Sequence, residues 1–192
     1  TDRSVTGHLA AGVPGAGAGL WEMHRRFGTR DWAELLAPAI RLARDGFPVD
    51  ERLASTVRAD SARLSRFAGS ATLFLPDGRP PDVGTTWRNP DIGAVLERIA
   101  RQGPAGFYGG ETADRIVEEM RRGGGIITHE DLRSYRPVWR EPVDFEWRGH
   151  RVLSMPPPSS GGLTLALVAR ILEGYDARGL GWRSPEALHV MA

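Results

Sequence analysis

The residues best placed to do chemistry are Ser159-Ser160-Gly161-Gly162, which follow Ser154-Met155-Pro156-Pro157-Pro158. Each proline fixes its own φ and pushes the preceding residue out of the α region, so this segment is expected to arrive extended. Two hydroxyls and two glycines opening a helix could supply a nucleophile, or free backbone N–H groups that receive an anion or a substrate oxygen. G-x-S-x-G is absent and no Asp/His pair is placed beside these serines, so the nucleophile reading has no support. Helix capping by Ser159 or Ser160 comes first. Substrate contact by Ser159, Ser160, Gly161 and Gly162, as a wall or helix N-terminus, is the second role.

Other reactive types are less well placed. Thr1 combines a hydroxyl with an α-amino group, as an N-terminal nucleophile requires. The polar stretch Asp2-Arg3-Ser4-Val5 reads as a loop, however, and a chain boundary explains Thr1 better. Glu118-Glu119, Glu130-Asp131 and Asp144/Glu146 are carboxylate pairs of the sort glycosidases use, but their spacing reads as solvated faces. His8, His24, His129, His150 and His189 show no H-E-x-x-H or paired spacing, so surface histidines, no metal and no cofactor are expected. The glycine-rich run Gly12 to Gly19 fits no phosphate-loop pattern and reads as a closely packed helix entry. Trp139, Phe145 and Trp147 read as core rather than a base-stacking platform.

Composition removes further classes. The chain has 192 residues, 41% hydrophobic and 26% charged, enough for one domain or two small ones. A net charge of +1 without a long basic stripe argues against a nucleic-acid partner. All 25 cationic residues are arginine, which excludes a lysine nucleophile or Schiff base. The absence of cysteine excludes disulfides and thiol catalysis and leaves the compartment open. No apolar stretch reaches the length of a membrane span, and the chain does not open on a charged and then apolar leader.

The elements that must position the serine-glycine run follow from periodicity and caps. Helices are predicted from the glycine-rich entry Gly12 to Gly19 through Leu20 to Phe27, from the cap-rich Thr29-Arg30-Asp31 to Asp45 with Pro38 kinking it or beginning a second segment, and from Asp50 through Leu53, Val57, Leu64 and Phe67. Residues 69–88 read as a turn-rich connection. Asn89-Pro90 opens a helix with Ile92, Val95, Leu96 and Ile99 on one stripe, and a further helix ends at Gly123. Thr128 to Asp131 has capping-box spacing. Val143, Phe145 and Trp147 alternate with charged residues, and Arg148-Gly149-His150 turns that strand into Arg151 to Met155. The helix after Gly162 is apolar on nearly every side and is predicted to be buried. Ser184-Pro185-Glu186 opens a last helix that stops at Ala192 after about two turns, short against usual helix lengths, so the chain reads as a piece of a longer protein.

Several of these stretches, taken in order, resemble the γ-glutamyltranspeptidase family, the glutathione hydrolases, within the N-terminal nucleophile hydrolases. The matching runs are Gly7-His8-Leu9-Ala10-Ala11-Gly12-Val13-Pro14-Gly15, Trp32 to Ile40 with Arg44-Asp45-Gly46-Phe47, Gly103 to Tyr108, and Gly124 to Thr128 with Glu130-Asp131-Leu132. They continue through Tyr135 to Pro142 and end on Ser154 to Gly162, the most specific element.

The resemblance implies an α+β, mostly α chain, a fragment of the αββα sandwich with a β-hairpin near residues 138–155, forming a single incomplete domain over 1–192. It implies a proenzyme that cleaves itself into large and small subunits, whose new N-terminal threonine attacks a γ-glutamyl amide. The family's carboxylate-binding arginine would lie before Thr1 and its threonine beyond Ala192, so no catalytic residue is expected here and Thr1 does not align with the nucleophile. Implied partners are a small-molecule γ-glutamyl substrate and the small subunit. Periplasmic or secreted localisation is suggested by the same likeness. A non-catalytic scaffold, or a relative acting on acyl-cephalosporin or poly-γ-glutamate, is the alternative. Apolar surface around Leu163 to Leu172 leaves self-association open.

Overall fold

Asp31, Asp50, Asn89 and Thr128 each open a helix, because a short side-chain oxygen can take an N–H group that a helix start leaves unpaired. Asp31 accepts from Ala33 and Glu34, Asp50 from Leu53, Asn89 from Ile92 and Thr128 from Asp131. The computed structural model describes residues 2–176 and 179–191, which divide after Pro137 into two compact units.

The first unit begins with two 3-10 turns, Asp2–Ser4 and His8–Ala10. It continues through α1 (Ala16–Phe27), α2 (Trp32–Asp45), β1 (Phe47–Pro48), α3 (Glu51–Leu64) and α4 (Ala68–Phe74). A 3-10 turn at Pro76–Gly78 leads to β2 (Thr86–Trp87), α5 (Pro90–Gln102), α6 (Ala105–Tyr108), α7 (Gly110–Gly123) and α8 (His129–Ser134). Its core joins Ala113 and Val117 of α7 to Ile127 and Leu132, with Val13, Tyr108, Ile116 and Met120 packed around them. α2 and α5 approach closely at Gly93, where a Cβ would lie 3.5 Å from that of Ala43. Trp32 ties the same pair by donating its indole N–H to the Ile99 carbonyl at 3.1 Å.

Three local expectations change. Residues 69–88 hold α4, a 3-10 turn and β2 rather than only turns. Distant aromatic contacts build them: Phe47 pairs with Trp87 across β1 and β2, Phe74 stacks on Trp87 at 5.7 Å, and the Trp87 indole donates to the Leu73 carbonyl at 3.1 Å. Phe67 lies beyond α3, as the residue that precedes α4. Pro38 begins no second segment, because α2 runs through it unbroken. It is exposed, so water can take the carbonyl left without its amide.

The second unit contains the predicted hairpin, β3 (Val143–Trp147) paired antiparallel with β4 (His150–Ser154). Arg148 and Gly149 form its two-residue turn with φ of 51° and 79°, the positive-φ pair that suits the right-handed twist of a hairpin. Val143, Phe145 and Trp147 face inward; Asp144 and Glu146 face solvent. Arg151 grips Asp144 from the next strand, its Nη2 2.6 Å from Oδ2. α9 (Gly161–Glu173) packs against β3 and β4, and α10 (Pro185–Met191) opens with the Ser184 hydroxyl accepting from the Ala187 N–H at 3.0 Å.

Two expectations fail in this unit. α9 is apolar on nearly every side, yet it buries only Gly162 and Ala169 and leaves Leu163, Leu165, Leu167, Val168 and Ile171 exposed. Trp139 is 53% exposed instead of core, whereas Phe145 and Trp147 are half-buried as expected.

Candidate functional site

The serine-glycine run sits where β4 passes into α9. The arrival is not extended throughout: Pro156 to Ser159 closes a turn with a cis Pro157–Pro158 bond, and the Ser159 N–H donates to the Pro156 carbonyl at 3.2 Å. Ser160 occupies the position before the helix with φ of −76° and ψ of −18°, already helical. A side-chain cap needs an extended residue there, so the Ser160 hydroxyl caps nothing. Ser159 does part of that work, its Oγ accepting from the Gly161 N–H at 3.4 Å. The capping expectation is therefore corrected for Ser160 and holds weakly for Ser159.

The glycines have separate duties. A Cβ on Gly162 would collide with the Met155 carbonyl oxygen and come within 3.2 Å of the Ser154 Cβ, so only glycine lets the helix start lie against the strand end. A Cβ on Gly161 would meet only the Ser159 Oγ, at 3.6 Å. The first turn closes with the Thr164 N–H on the Ser160 carbonyl at 2.9 Å. The amides of Gly162 and Leu163 have no acceptor among the described residues. Ser159, Ser160 and Gly161 are exposed around them. This arrangement can receive a carbonyl or carboxylate oxygen. It does not activate a serine, since neither hydroxyl bonds to an imidazole or carboxylate among the described residues.

Elsewhere the titratable groups are paired rather than poised. Glu119 takes a hydrogen bond from His8 Nε2 at 2.7 Å and is paired with Arg122; both hold its carboxyl below the usual glutamate range. Thr128 lowers Asp131 through the reciprocal capping box, and Arg151 lowers Asp144. Glu130 is paired with Arg133. Glu119, Asp131 and Asp144, held ionised in this way, do not make the raised-pKa acid of a glycosidase pair. His129 binds Asp114 at 2.8 Å, and no group of three or more His, Cys, Asp or Glu that could hold a metal occurs among the described residues. His8 departs from the surface expectation: it is half-buried against Phe67 and Gly123. Its cleft of about 660 Å³ joins residues too far apart in sequence for spacing to reveal. Thr1 lies outside the described residues. No helix among the described residues is long and apolar enough to cross a membrane.

Comparison with known proteins gives a consistent set of likenesses. The family model described as Gamma-glutamyltranspeptidase matches residues 1–192. The glutathione hydrolase proenzyme of Escherichia coli (strain K12) is 40% identical over 191 residues, covering 99% of this chain and 33% of that protein. The Acylase ACY 1 proenzyme of Pseudomonas sp. (strain V22) is 41% identical over 190 residues, covering 99% and 34%. The crystal structure of Helicobacter pylori gamma-glutamyltranspeptidase superposes with a TM-score of 0.95 at 36% identity, covering 98% of this chain and 54% of that one. The chain thus spans about a third of the length of these curated relatives.

Proposed function

This chain belongs to the γ-glutamyltranspeptidase family, and we propose on that footing that it serves a proenzyme which transfers or hydrolyses γ-glutamyl groups. The observation that carries this reading is the end-to-end match over residues 1–192, supported by the 40% identity to a glutathione hydrolase proenzyme. The chain forms one incomplete domain in the central to late part of the large subunit, and the small subunit is its partner.

In this reading the small subunit's N-terminal threonine, outside these 192 residues, attacks the γ-glutamyl carbonyl. The amide C–N bond breaks, the amine leaves with a proton, and a γ-glutamyl ester remains on the threonine. Water then yields glutamate, or an amino acid's amine yields a new γ-glutamyl amide, and the threonine regains its proton. The isolated chain is inactive. Ser159, Ser160, Gly161 and Gly162 form a wall of the substrate site, supported by the amides of Gly162 and Leu163 that have no acceptor among the described residues. The enzyme works in the periplasm or outside the cell.

Co-expressing this chain with the downstream part of its parent and supplying a chromogenic γ-glutamyl anilide tests the reading. Turnover that needs both pieces is expected; an assembled pair without turnover leaves a scaffold role instead. In the active pair, Ser160→Ala is expected to raise KM up to about tenfold, the value of one lost hydrogen bond, with kcat less affected. The equal likeness to Acylase ACY 1 favours a second reading, an acylase acting on another amide. Faster turnover of an acylated β-lactam than of the γ-glutamyl anilide selects it.

A further inference from the structure

Local chemistry supports α1 weakly. Gly12, Gly15, Gly17 and Gly19 crowd its entry, and glycine is a poor helix former. Gly15, at the position before the helix, has no side chain to offer, so α1 has no cap of its own. It buries only Ala18. Its exposed residues Leu20, Met23 and Phe27 form one wall of an apolar groove of about 730 Å³, which Leu35, Leu36 and Leu96 face from α2 and α5.

What holds the start of α1 comes from far along the chain. The Tyr108 hydroxyl donates to the Pro14 carbonyl at 2.6 Å and accepts from the Ala18 N–H at 3.3 Å, doing the work of the missing cap. Tyr135 stacks on Tyr108 with centroids 5.7 Å apart and planes 9° from parallel. Its hydroxyl fills the space that a Cβ on Gly15 would need. Burial raises the Tyr108 pKa, so the phenol keeps the proton it donates. Toward the far end of α1, His24 Nε2 donates to the Arg30 carbonyl at 2.7 Å, the His24 and Trp21 rings pack on Trp32 with centroids 5.1 and 5.2 Å away, and Trp21 lies against Gly103.

We propose that α1 is a strap over the apolar groove, clasped by the Tyr108 hydroxyl and able to open as a unit while α5 and α7 stay folded. Sparse packing and a single remote cap are the physical features of a segment that opens below the global unfolding free energy. α5 and α7 contrast with it, since Ile99, Ala113 and Val117 are buried within them.

Hydrogen exchange on the chain, read by peptide mass spectrometry, tests this. Amides of residues 20–24 are expected to exchange faster than those of α5 and α7. Tyr108→Phe removes both hydrogen bonds of the clasp and is expected to speed α1 exchange about tenfold or more, without changing α5 or α7. Gly19→Ala is the opposite probe, because nothing lies within 4 Å of its new Cβ. It is expected to slow α1 exchange about fivefold by helix propensity alone. If Tyr108→Phe speeds all three helices alike, or leaves α1 unchanged, the strap is overturned. If that variant does not fold, Gly19→Ala decides: slowing confined to α1 supports the strap, and slowing shared with α5 and α7, or none, ends it.

Discussion

The core of the first unit and the α9 layer of the second assign residue size in opposite ways. Around α7 and α8 the buried positions include the large side chains Val117, Ile127 and Leu132, the last fully enclosed. Along α9 the buried positions are Gly162 and Ala169, while Leu167 and Ile171 are 64% and 60% exposed. One contact is made by filling volume, the other by bringing backbones together. A strongly apolar helix therefore does not say which of its faces is covered; its small residues mark the near contact.

The largest effect expected from this contrast is at Leu132. Leu132→Ala removes a fully enclosed side chain and should cost about 3 kcal/mol in denaturant unfolding. Gly162→Ala tests the opposite kind of contact. Adding one methyl group against the Met155 carbonyl should cost about 2 kcal/mol by overpacking, with faster exchange at the β3 and β4 amides. A neutral result there would mean that close approach does not hold α9 to the hairpin.

Acid separates a smaller term. Glu119 has a folded pKa below its unfolded value, so its contribution is present above the ordinary glutamate range and fades as pH falls through the folded value. Glu119→Gln should flatten that part of the acid-side loss of stability and change little at neutral pH, beyond the modest value of a partly exposed pair. An unchanged acid profile would show that the His8 contact carries no linkage. The smallest effect belongs to Leu167→Ser, which should stay within about 0.5 kcal/mol because the side chain already lies in solvent.

Legibility in the sequence followed the range of the cause. Asp31, Asp50, Asn89, Thr128 and Ser184 were readable as helix starts because a cap acts within three residues. The hairpin was readable because alternation and the Arg148-Gly149 turn are local too. β1 and β2 were not, since Phe47 meets Trp87, forty positions further along the chain. At the serine-glycine corner, sequence located the strand-to-helix passage but not the turn at Pro156 to Ser159, nor the helical backbone that disables the Ser160 cap. The exposed face of α9 was misread for a physical reason: hydrophobic content measures what a helix can bury, and burial also depends on what is present to cover it.

The hairpin turn has a consequence for how this segment can change over generations. With two residues at its tip there is no slack, so the register is a matter of parity. One residue inserted within Val143–Trp147 would rotate every later side chain to the other side of the ribbon, placing Asp144 or Glu146 where Phe145 and Trp147 now point. Length drift is therefore accommodated in steps of two, or by a single extra residue absorbed as a bulge.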